Sequence, residues 1–378
     1  MTQYPVVTWT ENNEPRTARW HSESGVLPPQ KIVIADDTIS ANTAYRLACE
    51  GTGLLWRGDF QNARQLLLAL GRRAKRKPRN PPDLTAWSAA EAFNLHRQTQ
   101  AQRARILGML LLPFEADHGV LLRRAPDVRL ACSAAYGQTD TPYLASMREL
   151  LGLIGAHEWR KNGVEIKALG DRIHPHYGVF APVRNEYVDL VAEAPLPKSR
   201  ALAFDIGTGS GVLAAVLARR GITHIIATDQ DARALDCARD NISRLGLGEQ
   251  VDVVQADLFP AGRAPLVVCN PPWVPAQPSS SLEHAVYDPD SRMLRGFLGG
   301  LAAHLEPGGE GWLLLSDIAE HLGLRTRAEL LASIETAGLK VVGRIEVRPT
   351  HRKVSDATDP LHAARAAEVT SLWRLAVR

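Results

Sequence analysis

The chain has 378 residues, with 44 Lys and Arg against 41 Asp and Glu, so its formal net charge is only +3. So weak a positive balance does not by itself argue for nucleic-acid binding, and 45% hydrophobic against 22% charged residues excludes a disordered or fibrous chain. The four cysteines (Cys49, Cys132, Cys237 and Cys269) form no Cys-x-x-Cys pair, which excludes a disulfide scaffold or zinc ribbon and fits a reducing compartment.

No apolar run approaches the roughly 18 residues of a membrane span. The opening MTQYPVVTWTENNEP has no basic start followed by an apolar core, as a secretory signal would. A cytoplasmic location is therefore expected, and the length favours two domains.

Residues 1–35 are polar and proline-punctuated, with one strand-like run at 31–35 (KIVIA). Asp36, Asp37 and Thr38 are candidate caps for a helix just after them, and Asp59 for another. Residues 41–79 and 84–112 read as helical, the second through an apolar stripe of Ala86, Trp87, Ala90, Phe93, Leu95, Ile106, Met109 and Leu110. A third helix opens at Asp140, Thr141 and Pro142 and closes at Gly163. Residues 1–162 are thus expected to be a mostly helical domain, a possible substrate-recognition part with no catalytic motif. Residues 163–197 read as a hairpin and a linker helix.

From residue 198 to 378 strands alternate with helices: ALAFDIGTGSG, GVLAAVLARRG, HIIATD, ARALDCARDNISRLG, VDVVQAD and PLVVCN in turn. A helix over 291–305, the strand GWLLLSD and a helix over 326–337 follow. Strands at 339–347 and 369–377 close the chain with no clear helix between them, as an antiparallel edge would. The fold expected is α/β, a doubly wound, mostly parallel seven-stranded sheet with right-handed crossovers.

Candidate site residues stand at the ends of its strands. Asp205 leads into Gly207, Thr208, Gly209 and Gly211, a turn that opens a helix and offers backbone N–H groups to an anion. A dinucleotide fingerprint would need its third glycine where Val212 stands. Asp205 can instead balance an ammonium while the helix start holds a carboxylate, as a ligand with an amino-acid end requires. Asp229 ends the next strand, placed for two ribose hydroxyls. Asp257 ends the third, placed for an adenine amine, with Ala256 and Leu258 beside the ring. Asn270, Pro271, Pro272 and Trp273 stop the fourth strand, because proline cannot donate to a ladder.

These features together point to S-adenosyl-L-methionine rather than NAD. Residues 178–350 resemble the class I methyltransferases, and NPPW resembles the Asp/Asn-Pro-Pro-aromatic motif of their amino-methylating branch. That branch holds the release-factor glutamine, adenine-N6 DNA and guanine-N2 ribosomal RNA methyltransferases. The stretch GVFAPVRNEYVDLV, at 178–191, is similar to the branch's segment that closes over the cofactor. The resemblance implies N-methylation of a planar amide or amino nitrogen, with a protein glutamine or an RNA base as acceptor. A metabolite amine, or a catalytically silent cofactor-binding module, is the alternative.

His174 and His176 form a weak metal pair with no third ligand nearby, so no metal site is expected. Arg72, Arg73, Lys75, Arg76, Lys77 and Arg79 form a run open to RNA contact or to plain solvation at a helix end. His351, Arg352 and Lys353 could add to a positive rim. Tyr287 and Asp288 lie where a substrate-covering loop would be. No membrane partner is expected.

Overall fold

A computed structural model describes residues 4–76, 87–278, 283, 285–350, 356 and 359–378. The chain divides into two compact units, one of Met1–Trp87 with Asn94–Glu158 and one of Ser88–Phe93 with Trp159–Arg378.

The first unit is built on a sheet, which corrects the expectation of a mostly helical domain over 1–162. Its strands are β1 (Val6–Glu11), β2 (Glu14–Trp20), β3 (Lys31–Ala35), β4 (Thr52–Trp56), β5 (Leu110–Phe114) and β6 (Tyr143–Ser146). They lie in the order β1-β2-β6-β5-β4-β3. Helices α1 (Ala41–Cys49), α2 (Phe60–Ala74), α3 (Ala89–Gly108), α4 (Arg129–Tyr136) and α5 (Met147–Asn162) connect them or follow. Every residue of β4 is buried, so TGLLW is an uninterrupted apolar run with no period of two to mark it as a strand. LLLPF in β5, buried at every residue but Pro113, likewise lacks a period of two and reads as the end of a helix. Ser40, not Asp36 or Asp37, caps α1. Asp59 does cap α2, accepting from the Gln61 N–H.

The second unit begins with a hairpin, β7 (Val164–Ile166) and β8 (Asp171–Ile173), and helix α6 (Glu186–Glu193). Then come β9 (Leu202–Ile206), α7 (Val212–Arg219), β10 (His224–Asp229), α8 (Ala232–Arg244), β11 (Val251–Gln255), β12 (Ala264–Cys269), α9 (Arg292–His304) and β13 (Leu305–Ser316). The short α10 (Ile318–His321), α11 (Arg327–Thr336), β14 (Leu339–Val347), α12 (His362–Ala367) and β15 (Thr370–Val377) complete it. The seven-stranded sheet runs β11-β10-β9-β12-β13-β15-β14. Its first five strands are parallel, and β15 pairs antiparallel with both β13 and β14.

Apolar side chains cover both faces of this sheet. Val188 and Val191 of α6, the length of α7 and Ile242 of α8 pack with Ile225, Leu266, Val268 and Trp312 on one side. Leu294, Phe297 and Leu301 of α9, with Leu330 and Ile334 of α11, pack with Phe204, Ile206, Val267 and Leu313 on the other. The order reverses between β9 and β12, since β10 and β11 extend to one side and β13 to the other. In an open parallel sheet a crevice opens at such a switch point, outside the carboxyl ends of the strands.

Candidate functional site

Asp205 and Asn270 flank that switch point. Val268 pairs with Asp205 and Cys269 with Ile206, so Asn270 leaves β12 level with the start of the glycine turn. Gly207, Gly209 and Gly211 all have positive φ, at 72°, 54° and 80°. A Cβ at Gly207 would meet only the Met293 methyl group, the movable end of a flexible side chain, so it is the positive φ that demands glycine there.

Asp205 is 1% exposed. Its Oδ2 accepts from Thr208 Oγ1 at 2.7 Å and from the Ala214 N–H at 3.1 Å, tying the turn to the first turn of α7. Its Oδ1 is buried with no partner among the described residues. Burial pushes the carboxyl up to about 6, against the pull of the Thr208 and Ala214 hydrogen bonds, and the nearby Asp229 adds a smaller push. A buried oxygen without a donor is costly, and an ammonium is the kind of group that would satisfy it. The residues present therefore fit the amino-acid end of the expected cofactor.

Asp229 accepts from the Gly209 N–H at 3.0 Å through Oδ2 and from the Asp231 N–H at 3.0 Å through Oδ1. Burial raises its carboxyl too. Asp231, not Asp229, caps α8, accepting from the Arg233 N–H at 2.9 Å. A carboxylate has about four lone-pair directions, so Asp229 retains acceptor capacity. Asp257 stands differently from expectation: β11 ends at Gln255, and the exposed Asp257 side chain pairs with Arg292 at 3.5 Å. Ala256 donates its N–H to the Asp229 carbonyl at 3.1 Å. Leu258 takes φ 72°, and its carbonyl accepts from Thr228 Oγ1 at 2.6 Å.

At the end of β12 the Trp273 indole N–H donates to Asn270 Oδ1 at 2.9 Å. Pro271 is buried, while Asn270, Pro272 and Trp273 are half-buried. The Tyr187 ring meets the indole edge-on, with centroids 6.5 Å apart, and the Arg184 guanidinium lies 5.7 Å from its centroid. Burial pushes the Tyr187 phenol up, and the Asp205 and Glu186 carboxylates push it further. Arg184 and the first turn of α6 thus lie beside Trp273, and Tyr187 also feels the Asp205 carboxylate. Cys269 is fully buried and its thiol is raised well above its ordinary value by burial, so it is inert as a nucleophile.

The remaining candidates take structural places. His174 Nδ1 and the Arg160 carbonyl are 2.7 Å apart, and His176 Nε2 lies 3.1 Å from Asp240 Oδ2. Asp288, 6% exposed, accepts from the Met293 and Leu294 N–H groups in the first turn of α9, whose N-cap is Ser291, while Tyr287 forms an isolated bridge with Val274. Arg72 and Arg73 lie in the last turn of α2 and Lys75 is its C-cap, with Arg73 bonding Asn42 Oδ1 through Nε and Nη2. Lys77, Arg79, His351, Arg352 and Lys353 lie outside the described residues.

Sequence reasoning missed Asn241. Its side chain is 0% exposed, and Oδ1 accepts from the His174 N–H at 2.7 Å. Nδ2 donates to the carbonyls of Ser210 at 3.1 Å and Cys237 at 3.0 Å. One amide therefore links the glycine turn to the loop that precedes α6. The signal was present: an Asn on the otherwise apolar stripe of Ala234, Leu235, Ala238 and Ile242 needs a partner.

The family model for the methyltransferase small domain matches residues 172–329. The release factor glutamine methyltransferase of Cereibacter sphaeroides is 33% identical over 187 residues, covering 46% of this chain and 62% of that protein. The chain thus spans less than two thirds of the length of that relative. The ribosomal protein L11 methyltransferase of Sorangium cellulosum is 34% identical over 253 residues, covering 59% of this chain and 69% of that protein. Among solved structures, a ribosomal protein L11 methylase from Lactobacillus delbrueckii aligns with a TM-score of 0.39 at 15% identity, over 55% of this chain and 86% of that one. On the sequence relatives, the chain belongs to the class I S-adenosylmethionine-dependent methyltransferases.

Proposed function

We propose that this chain methylates a planar amide nitrogen of a protein side chain, a glutamine in a protein of the translation apparatus. The observation that carries the reading is the Asn270–Trp273 corner, which begins two residues past Val268, the strand partner of Asp205. The relatives named for a glutamine and for a ribosomal protein support the acceptor class.

The proposed site has two halves. Asp205 Oδ1, the glycine turn and Asp229 hold S-adenosylmethionine by its ammonium, carboxylate and ribose, with Ala256, Asp257 and Leu258 beside the adenine. That group, when bound, supplies an electrophilic methyl on a sulfonium. Asn270 and Trp273 serve the acceptor.

A planar amide nitrogen is a poor nucleophile because its lone pair is delocalised. Asn270 Oδ1 keeps one acceptor direction beyond the Trp273 bond. That oxygen and the Pro271 carbonyl each take one N–H of the acceptor and draw its nitrogen towards tetrahedral geometry. Trp273 packs against the flat group. No strong base is needed, since the proton leaves after the carbon–nitrogen bond has formed and the nitrogen has become acidic. This is catalysis by orientation and fixed dipoles.

The test is to incubate cell extract with the purified chain and radiolabelled S-adenosylmethionine, then separate protein, RNA and small molecules. Label in protein, lost in Asn270→Ala, supports the reading. Label in RNA would move the acceptor to a base and bring the basic run of α2 into play, and label in small molecules would make the acceptor a metabolite amine.

A further inference from the structure

Glu368, just ahead of β15, is 2% exposed. Its Oε1 receives Arg184 Nη2 at 3.0 Å and Ser316 Oγ at 2.7 Å. Its Oε2 is buried without a partner among the described residues, as is the Thr370 hydroxyl two residues on. Arg184 is also held by Glu186, with Nε 3.2 Å from its carboxylate. The same guanidinium lies 5.7 Å from the centroid of the Trp273 ring.

One arginine therefore joins the loop before α6, the end of β13, the approach to β15 and the indole of the NPPW corner. A buried carboxylate is expensive and needs a cation, and here the cation is at the sheet's carboxyl edge rather than in its core. An apolar pair would join these elements at less cost. What an apolar pair cannot do is set a cation over an indole, and a planar guanidinium constrains the ring's plane more than a compact ammonium would.

We propose that Arg184, anchored by Glu368, is a positioning residue that fixes the plane of Trp273 and thereby the binding of the flat acceptor group. This rests on the acceptor role given above to Trp273. Without the anchor the indole tilts about its bond to Asn270, acceptor binding weakens, and the cofactor half is untouched.

The test compares Arg184→Met, Glu368→Gln and the double variant Arg184→Met/Glu368→Gln. Acrylamide quenching of Trp273 emission is read as the difference between each protein and its Trp273→Phe counterpart. Kinetics use purified bacterial release factor as acceptor. Arg184→Met leaves a buried carboxylate unpaired and lowers the melting temperature; the double variant recovers it. The acceptor KM rises about tenfold in all three, with kcat within about threefold and S-adenosylhomocysteine affinity within about twofold. Trp273 becomes more quenchable in all three.

Recovery of KM and quenching together with stability in the double variant would reduce the pair to a structural role and overturn the proposal. So would unchanged KM and quenching in Arg184→Met. Should the wild type transfer no methyl to the release factor, the acceptor reading fails separately. The quenching comparison then decides alone, an unchanged Trp273 overturning the proposal.

Discussion

The Trp273 indole N–H and the Asn270 side-chain oxygen are joined at 2.9 Å, so the third residue past Asn270 in sequence fixes the orientation of its amide. An indole has only a donor to offer, which makes the bonded end of Asn270 an acceptor and turns the oxygen into the fixed point of the corner. The two residues act as one device.

Removing either half has a different expected outcome. Asn270→Ala lowers methyl transfer by about a hundredfold or more, in the range seen when a preorganised polar group is lost. Trp273→Phe leaves Asn270 free to rotate and lowers kcat/KM by roughly tenfold, the loss of one net hydrogen bond of about 1.4 kcal/mol. Both keep S-adenosylhomocysteine affinity within about twofold of wild type by calorimetry. A large loss of cofactor affinity in either would place the corner in the cofactor half.

Asp205 gives a pH signature. Its carboxyl is raised from 3.8 to about 6, chiefly by burial. The folded chain therefore binds that proton more tightly than the unfolded chain. This contribution favours the fold at low pH, falls as pH rises from about 4 to about 6, and is then roughly 3 kcal/mol smaller. Denaturant midpoints of the ligand-free protein over that window, compared with Asp205→Asn, check the sign, because the variant lacks this slope. Binding of an ammonium favours the ionised carboxylate, so S-adenosylhomocysteine affinity should fall about tenfold per pH unit below about 6. Affinity that is flat through pH 6 would separate Asp205 from the ammonium.

Asp229 and Asp231 stand two residues apart with different expected losses. Asp229→Ala removes the acceptor of the Gly209 N–H and the proposed acceptor of the ribose, and cofactor affinity should fall by roughly 10- to 100-fold, the worth of one or two hydrogen bonds to a charged group. Asp231→Ala removes only the cap of α8 and should cost about 1 kcal/mol of stability with affinity unchanged. Isothermal titration and urea unfolding of both variants separate them. Equal affinity in Asp229→Ala would reassign the ribose acceptor.

Asn241 tests the link between the glycine turn and the loop before α6. Asn241→Leu leaves the His174 N–H and the Ser210 carbonyl without this partner in a buried place. A loss of roughly 2–4 kcal/mol is expected in urea unfolding, at about 1–3 kcal/mol per orphaned group. Asn241→Asp keeps the acceptor but sets a second oxygen against the Ser210 and Cys237 carbonyls, so its stability should fall further as pH rises and the buried carboxyl is forced to ionise.

The methyltransferase sheet was legible because its residues repeat a local pattern. Asp205 to Gly211, HIIATD and PLVVCN each pair an apolar run with a polar stop, and Asp59, Asp231 and Gly163 punctuate helices as their chemistry predicts. Strands β4, β5 and β6 were not legible. TGLLW is buried throughout, and LLLPF and YLAS are buried at all but Pro113 and Ser146, so these short runs have no period to separate strand from helix. Asn270 to Trp273 could be read as a site from proline chemistry alone. Asn241 and the Arg184–Glu368 pair could not, because their partners lie 67, 31 and 184 positions away. Distance along the chain hides what a motif reveals.

The most direct measurement is tandem mass spectrometry of purified release factor and ribosomal protein L11 after incubation with this chain and S-adenosylmethionine, beside the Asn270→Ala variant. The expected result is the mass of one methylene added at a glutamine side-chain amide, present with the wild type and absent with Asn270→Ala. Methylation confined to lysine or α-amino groups, or equal modification by the Asn270→Ala variant, would contradict it.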